Sequence, residues 1–192
     1  MCRVGKMKTI SSKILKLLGW KIIGEFPDIK KSIGIFAPHT SYMDALIGKL
    51  YLNELEINHK FISKKELFVF PGTFLMNKFG SIPVDTKNGR TIILSVASQL
   101  KKSEELHIVI SPEGKFAKTT KWQKGFFYMA KRGKVPIVVS SIDYEKKEIG
   151  IKGVIYDVSD IDLVMKQVNK MYEGVIGKHP ENFELETITE KK

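Results

Sequence analysis

His39 stands five residues before Asp44 in the run His39-Thr40-Ser41-Tyr42-Met43-Asp44. A carboxylate at that separation can hold the Nδ1 proton of the imidazole and leave Nε2 as a base, the orienting relationship of a hydrolytic triad without its serine. A neutral imidazole titrating near working pH suits removal of a proton from an alcohol. The same residues also fit a structural histidine and an Asp44 that only caps a helix, and spacing alone does not separate the two.

The elements around this pair favour a site. Residues 33–37 form a short, continuously apolar strand ended by Pro38, and 41–55 carry helical spacing with Leu46, Leu50 and Ile47 on one face. His39 then falls in a strand-to-helix loop, where α/β proteins place their chemistry. Further strands are expected at 61–62, 82–84, 106–110 and 135–142, with a hairpin around Lys146-Lys147. Helices are expected at 91–101, 125–131 and 160–172, and short helices around Pro71-Gly72 within 66–79. The alternation predicts an α/β fold, a single domain with a central, partly parallel sheet flanked by helices. An N-terminal amphipathic helix and turn (1–30) precede the main domain (31–177), and a loose polar tail (178–192) follows. Strand order is not readable.

A chain of 192 residues that is 43% hydrophobic can bury one full core without disulfides or a structural metal. Its single cysteine, Cys2, leaves neither a disulfide framework nor a thiolate zinc site, and a reducing compartment is the simplest reading. The formal net charge of +11 favours anionic partners: nucleic acid, acidic lipid or an acidic carrier protein. No apolar stretch approaches the roughly 20 residues of a membrane span. Lys13, Lys16 and Lys21 interrupt any signal-peptide core. Ile10, Ile14, Leu17 and Leu18 share one helical face, which suits a helix lying on an anionic membrane and equally one docked on its own domain.

Ordered blocks follow the His39 motif: Lys64-Lys65-Glu66-Leu67-Phe68 with Pro71, then Gly80-Ser81-Ile82-Pro83-Val84-Asp85, then Ser111-Pro112-Glu113-Gly114, then Val135-Pro136-Ile137-Val138. In that order they resemble the four blocks of the glycerolipid acyltransferases, the family of lysophosphatidic acid acyltransferase. The resemblance runs from about Ile33 to Tyr144. It implies His39 as general base, Asp44 as its orienting partner, Glu113 and Gly114 as acceptor-binding residues, and Pro136 near the acyl chain. It also implies acyl-CoA or acyl carrier protein as co-substrate, with no cofactor or metal, and a lysolipid acceptor. The developing oxyanion needs donors that a glycine-containing loop can supply.

Two departures bear on the acceptor. Thr86 follows Asp85 where the family commonly has arginine, and Lys115-Phe116-Ala117 replaces the usual Thr-Arg-Ser. Those arginines are associated in the family with the acceptor's phosphate. Lys115, Lys118, Lys121 and Arg90 can supply replacement charge, though lysine lacks the guanidinium's paired geometry. Phe74, where the family commonly has glycine, is expected to pack in the core, as is Trp122. His59 and His107 read as structural. Phe126-Phe127-Tyr128 fits a helix face packed inward better than a nucleic-acid platform, so no nucleic-acid partner is expected. The expected setting is cytoplasmic, peripheral on the inner face of the membrane. A non-catalytic basic lipid-binding protein of the same fold is the alternative.

Overall fold

The computed structural model describes residues 2–85 and 88–188, with side chains from Ile10 onward, so Thr86 lies outside the described residues. Among these, seven strands form one sheet in the order β1-β7-β6-β2-β5-β3-β4. They are β1 (Lys21–Ile23), β2 (Lys31–Ala37), β3 (His59–Lys64), β4 (Ser81–Val84), β5 (Leu106–Ile110), β6 (Ile137–Asp143) and β7 (Glu148–Ile155). The helices are α1 (Cys2–Leu17), α2 (Tyr42–Glu54), α3 (Gly72–Phe79), α4 (Gly89–Lys102), α5 (Gly125–Gly133) and α6 (Ile161–Tyr172).

β2 lies mid-sheet, parallel to both β5 and β6, with Ile33 opposite Ile108 and Ile137. Its side chains alternate between two cores as the pleat requires. Ile33, Ile35 and Ala37 join Val96, Leu100, Phe126, Phe127, Val164 and Val168 from α4, α5 and α6. Phe36 points to the other face, against Ile47, Tyr51 and Leu52 of α2, with Leu15 and Trp20. Both faces being covered explains why the strand reads as an unbroken apolar run.

Several expectations change. Three residues too short to show a period, β1 adds to the sheet edge parallel to β7. Gly150 makes this close approach possible: a Cβ there would sit 1.8 Å from the Ile23 carbonyl oxygen. On α2 the buried face is Ile47, Tyr51 and Leu52, while Leu46 is exposed. Phe74 is 74% exposed rather than packed in the core. The tail is docked rather than loose. Phe183, Leu185 and Ile188 pack on the core, Glu186 accepts a hydrogen bond from the Trp122 N–H, and the Trp122 indole donates to Glu184 O. Trp122, Phe126 and Phe127 are buried as expected, with Tyr128 at the surface.

α1 packs on α2 through Ser11 and Leu15. The stripe read from the sequence faces outward: Leu17 is 86% and Ile10 56% exposed, with Ile14 and Leu18 also open. No helix among the described residues is long and apolar enough to cross a membrane.

Candidate active site

The loop leaving β2 puts His39 at the carboxyl edge of the parallel strands, and α2 begins two residues after Thr40. Ser41 caps α2: its side chain accepts from the Met43 N–H at 3.2 Å, and Asp44 at the third helical position reaches back to the Ser41 N–H. This capping box holds Asp44 buried beneath the loop. Asp44 Oδ2 accepts from the Thr40 and Ser41 N–H groups, each at 2.7 Å, and Oδ1 accepts from the Tyr144 hydroxyl at 2.6 Å. Asp44 therefore caps the helix and faces the imidazole at once; the two readings of the sequence are not exclusive.

His39 Nδ1 lies 3.6 Å from Asp44 Oδ2, with the imidazole 23% exposed and the carboxylate 4%. That separation is too long for a hydrogen bond but aims Nδ1 at the carboxylate. Contacts of this kind commonly tighten when substrate binds. Nε2 carries no hydrogen bond among the described residues. Phe116 flanks the ring at 4.8 Å between centroids and meets Tyr42 at 4.6 Å, so an aromatic wall borders the base where the family commonly has arginine.

Glu113 follows β5, next to β2 in the sheet. Its Oε1 accepts from the His39 N–H at 2.8 Å, while Oε2 is buried with no hydrogen-bond partner. Burial pushes its carboxyl up to about 7, assisted by the charge of Asp44 and opposed by backbone hydrogen bonds and by His39. Gly114 adopts φ +68, and a Cβ there would lie 3.0 Å from Gln123 Cγ. Its N–H donates to Ser111 O at 3.2 Å within a turn, so this glycine amide is not turned toward a ligand.

The other residues singled out in the sequence are not gathered here. Lys115 is exposed on the same loop. Arg90 lines a groove between α4 and α5 with Ile93, Leu94, Lys124, Tyr128 and Arg132. Pro136 accepts through its carbonyl from the Ile33 N–H at the start of β2. It therefore sits at the amino end of β2, whereas His39 follows the carboxyl end. The fourth block supplies central strand β6 rather than a neighbour of the base. Asp85 of the second block pairs with Lys65 of the block before it, joining β4 to the 3-10 turn Lys65–Phe68. His59 and His107 are structural: His107 Nδ1 lies 2.8 Å from Ser32 Oγ, and His59 Nε2 lies 2.9 Å from Lys49 Nζ.

Sequence reasoning missed Tyr144, which stands 100 residues from Asp44. Nothing local marks it, because the contact arises only when β6 and β2 pair.

The architecture defines an α/β protein that carries, at the carboxyl ends of its parallel strands, a histidine backed by a helix-capping carboxylate. The Acyltransferase family model matches residues 26–143, and the chain belongs to that family; it is an acyltransferase. Its fold is similar to the crystal structure of PlsC, the 1-acyl-sn-glycerophosphate (LPA) acyltransferase from Thermotoga maritima. The two align with a TM-score of 0.58 at 18% identity over 87% of this chain and 75% of that one. A comparison with curated protein sequences finds no match.

Proposed function

We propose that this acyltransferase moves a fatty acyl group from acyl-CoA or acyl carrier protein to a hydroxyl of a lysolipid, of the 1-acylglycerol-3-phosphate type or related to it, at an anionic membrane surface. The observation that carries the reading is the partly exposed imidazole of His39, without a hydrogen bond at Nε2 among the described residues and directed at Nδ1 toward a buried, fully bonded carboxylate. The similarity to PlsC supports a lysolipid as acceptor.

In this reading His39 Nε2 takes the proton of the acceptor hydroxyl as its oxygen attacks the thioester carbonyl carbon. The tetrahedral intermediate then collapses, the C–S bond breaks, and the departing thiolate receives that proton from the imidazolium. Asp44 keeps Nδ1 protonated and stabilises the transient positive charge. Glu113 supports the backbone of the base from below, and Gly114 allows the turn that brings Glu113 there. The Phe116 wall favours an acceptor whose aliphatic or glyceryl portion lies against His39. Lys115 and Arg90 are then left to meet phosphate farther out. Pro136, just before β6, takes no part in the proton transfer and is left to the distal part of the acyl chain.

Support for a membrane surface comes from where the large exposed apolar side chains fall. Tyr42 and Met43 open α2, and Leu67, Val69, Phe70, Phe74 and Leu75 follow β3, all beyond the carboxyl ends of the parallel strands. Leu17 and Leu18 end α1 at the same edge, because β1 starts opposite Glu148, itself paired with Asp143 at the end of β6. Lysines 13, 16, 64, 65 and 115 are exposed alongside. Apolar anchors ringed by cations suit the interface of an acidic bilayer on its cytoplasmic side.

The test is transfer from labelled acyl-CoA, or acyl carrier protein, to lysolipids presented in anionic vesicles. Wild type should release thiol in step with new diacyl lipid, and His39→Ala should lose about 10²–10⁴-fold in rate while staying folded. Equal rates for the two proteins would end this reading.

A further inference from the structure

We propose that Tyr144 is a positioning residue for the His39–Asp44 pair and that Trp20 holds it in place, so docking of the N-terminal segment helps aim the base. The inference rests on the function proposed above. Tyr144 also stands one residue beyond the stretch that the family model matches.

A carboxylate bonded through only one oxygen can swing about that attachment. Asp44 Oδ2 is claimed by two backbone N–H groups and faces His39. The Tyr144 hydroxyl, 2.6 Å from Oδ1, fixes the second oxygen and hence the plane of the group. Burial, the hydrogen bond to Asp44 and the charge of Asp44 all hold the phenol protonated, so it remains a donor. Among the described residues, the charged or titratable groups bonded to the pair are Glu113, through the His39 backbone, and Tyr144.

Tyr144 is fixed in turn. Its backbone N–H donates to Ile176 O at 2.8 Å, and its ring meets the edge of buried Trp20 at 5.0 Å and 88°. The Trp20 N–H donates to Leu15 O at 2.8 Å in the last turn of α1, and Lys147 Nζ sits 5.3 Å from the indole centre. Beside it, Asp143 is engaged with the Glu145 and Lys146 N–H groups and the Lys146 ammonium, leaving Tyr144 as the side chain of this turn bonded to Asp44. A continuous set of contacts thus runs from α1 through Trp20 and Tyr144 to Asp44.

The test compares Tyr144→Phe, Trp20→Ala, Trp20→Phe, the Tyr144→Phe/Trp20→Ala double variant and His39→Ala by steady-state kinetics and thermal melting. Tyr144→Phe keeps the ring and should stay folded. Its kcat should fall about 5–30-fold with KM within about twofold, because the misaimed carboxylate affects the proton transfer and not the binding of substrate. Trp20→Ala should lower kcat similarly, Trp20→Phe should restore most of it, and Trp20→Ala should cost less than threefold more when Tyr144 is already Phe. A Tyr144→Phe protein with wild-type kcat, or one whose loss lies in KM alone, overturns the inference. So does a loss that only tracks the folded fraction. Full activity in His39→Ala would instead overturn the function on which it rests.

Discussion

The backbone N–H of His39 donates to Glu113 Oε1 at 2.8 Å, while the other oxygen of that carboxyl is buried without a partner. The loop bearing His39 is thus anchored to a group that burial makes reluctant to ionise. Protonated, Glu113 still accepts from His39 and brings no net charge under the site.

The consequence for stability has a definite sign. The folded chain holds the Glu113 proton up to about pH 7, whereas the unfolded chain releases it near 4.5. Folding therefore loses stability as pH rises through that window, by roughly 3–4 kcal/mol at most. Glu113→Gln keeps the acceptor and removes the charge. Its melting temperature relative to wild type should climb from pH 5 to pH 8, and a constant difference across that range would show that Glu113 does not titrate as described.

His59 works in the opposite direction. Burial first, then the Lys49 charge, lowers its titration from 6.5 to about 4, and burial lowers His107 as well. Here the unfolded chain binds the extra proton, so stability is full above pH 6.5 and is lost as pH falls toward 4. With half-burial the effect is roughly 1–2 kcal/mol. His59→Gln, still able to face Lys49 with its carbonyl, should melt with a shallower acid slope than wild type; an unchanged slope between pH 6.5 and 4.5 would discount it.

Phe116 touches both His39 and Tyr42. Edge contacts of this kind contribute about 0.5–1.5 kcal/mol, which corresponds to roughly a two- to tenfold fall in kcat for Phe116→Ala if the imidazole loses its lateral support. Phe116→Arg places a guanidinium beside the base and should raise kcat/KM for a phosphate-bearing lysolipid relative to a neutral monoacylglycerol by about tenfold. Parallel changes for both acceptors would mean that residue 116 does not face the acceptor.

How much of this could be read beforehand follows from the range of each contact. His39, Asp44 and the cap at Ser41 lie within six residues, and their loop was bracketed correctly by an apolar strand and a helical period. β1 escaped because three residues carry no period and its partner β7 lies far along the chain. The α2 face was misassigned by one step: Leu46 and Ile47 are adjacent and both apolar, and only packing against β2 decides which turns inward. The stripe on α1 was seen but not its direction, because Leu15 lies between its members and the docking of Ser11 and Leu15 on α2 is a tertiary choice. The place of Pro136 has no local mark either: the parallel register of β6 on β2 sets it at the amino end of the strands. Tyr144 and the docked tail depend on contacts across tens of residues, for which sequence spacing has no signature.

The exposed apolar rim offers a test independent of the chemistry. Phe70 is 89% and Phe74 74% exposed, both beyond the carboxyl end of β3, whereas Tyr156, 67% exposed, follows β7 where Ile155 pairs with Ile137 at the opposite edge. Inserting a phenylalanine into the interface gains roughly 1.5–3 kcal/mol when burial is complete. Changing both Phe70 and Phe74 to Asp should weaken binding to anionic vesicles about 10²-fold or more in a sedimentation assay, and Tyr156→Asp should leave it unchanged. Raising salt should weaken the wild type through its lysines but leave residual binding from the apolar rim, since screening acts on charges and not on buried hydrocarbon. Equal loss from Tyr156→Asp and from the paired phenylalanines would mean that attraction is a matter of net charge alone, and the catalytic edge would have no privileged orientation toward the bilayer.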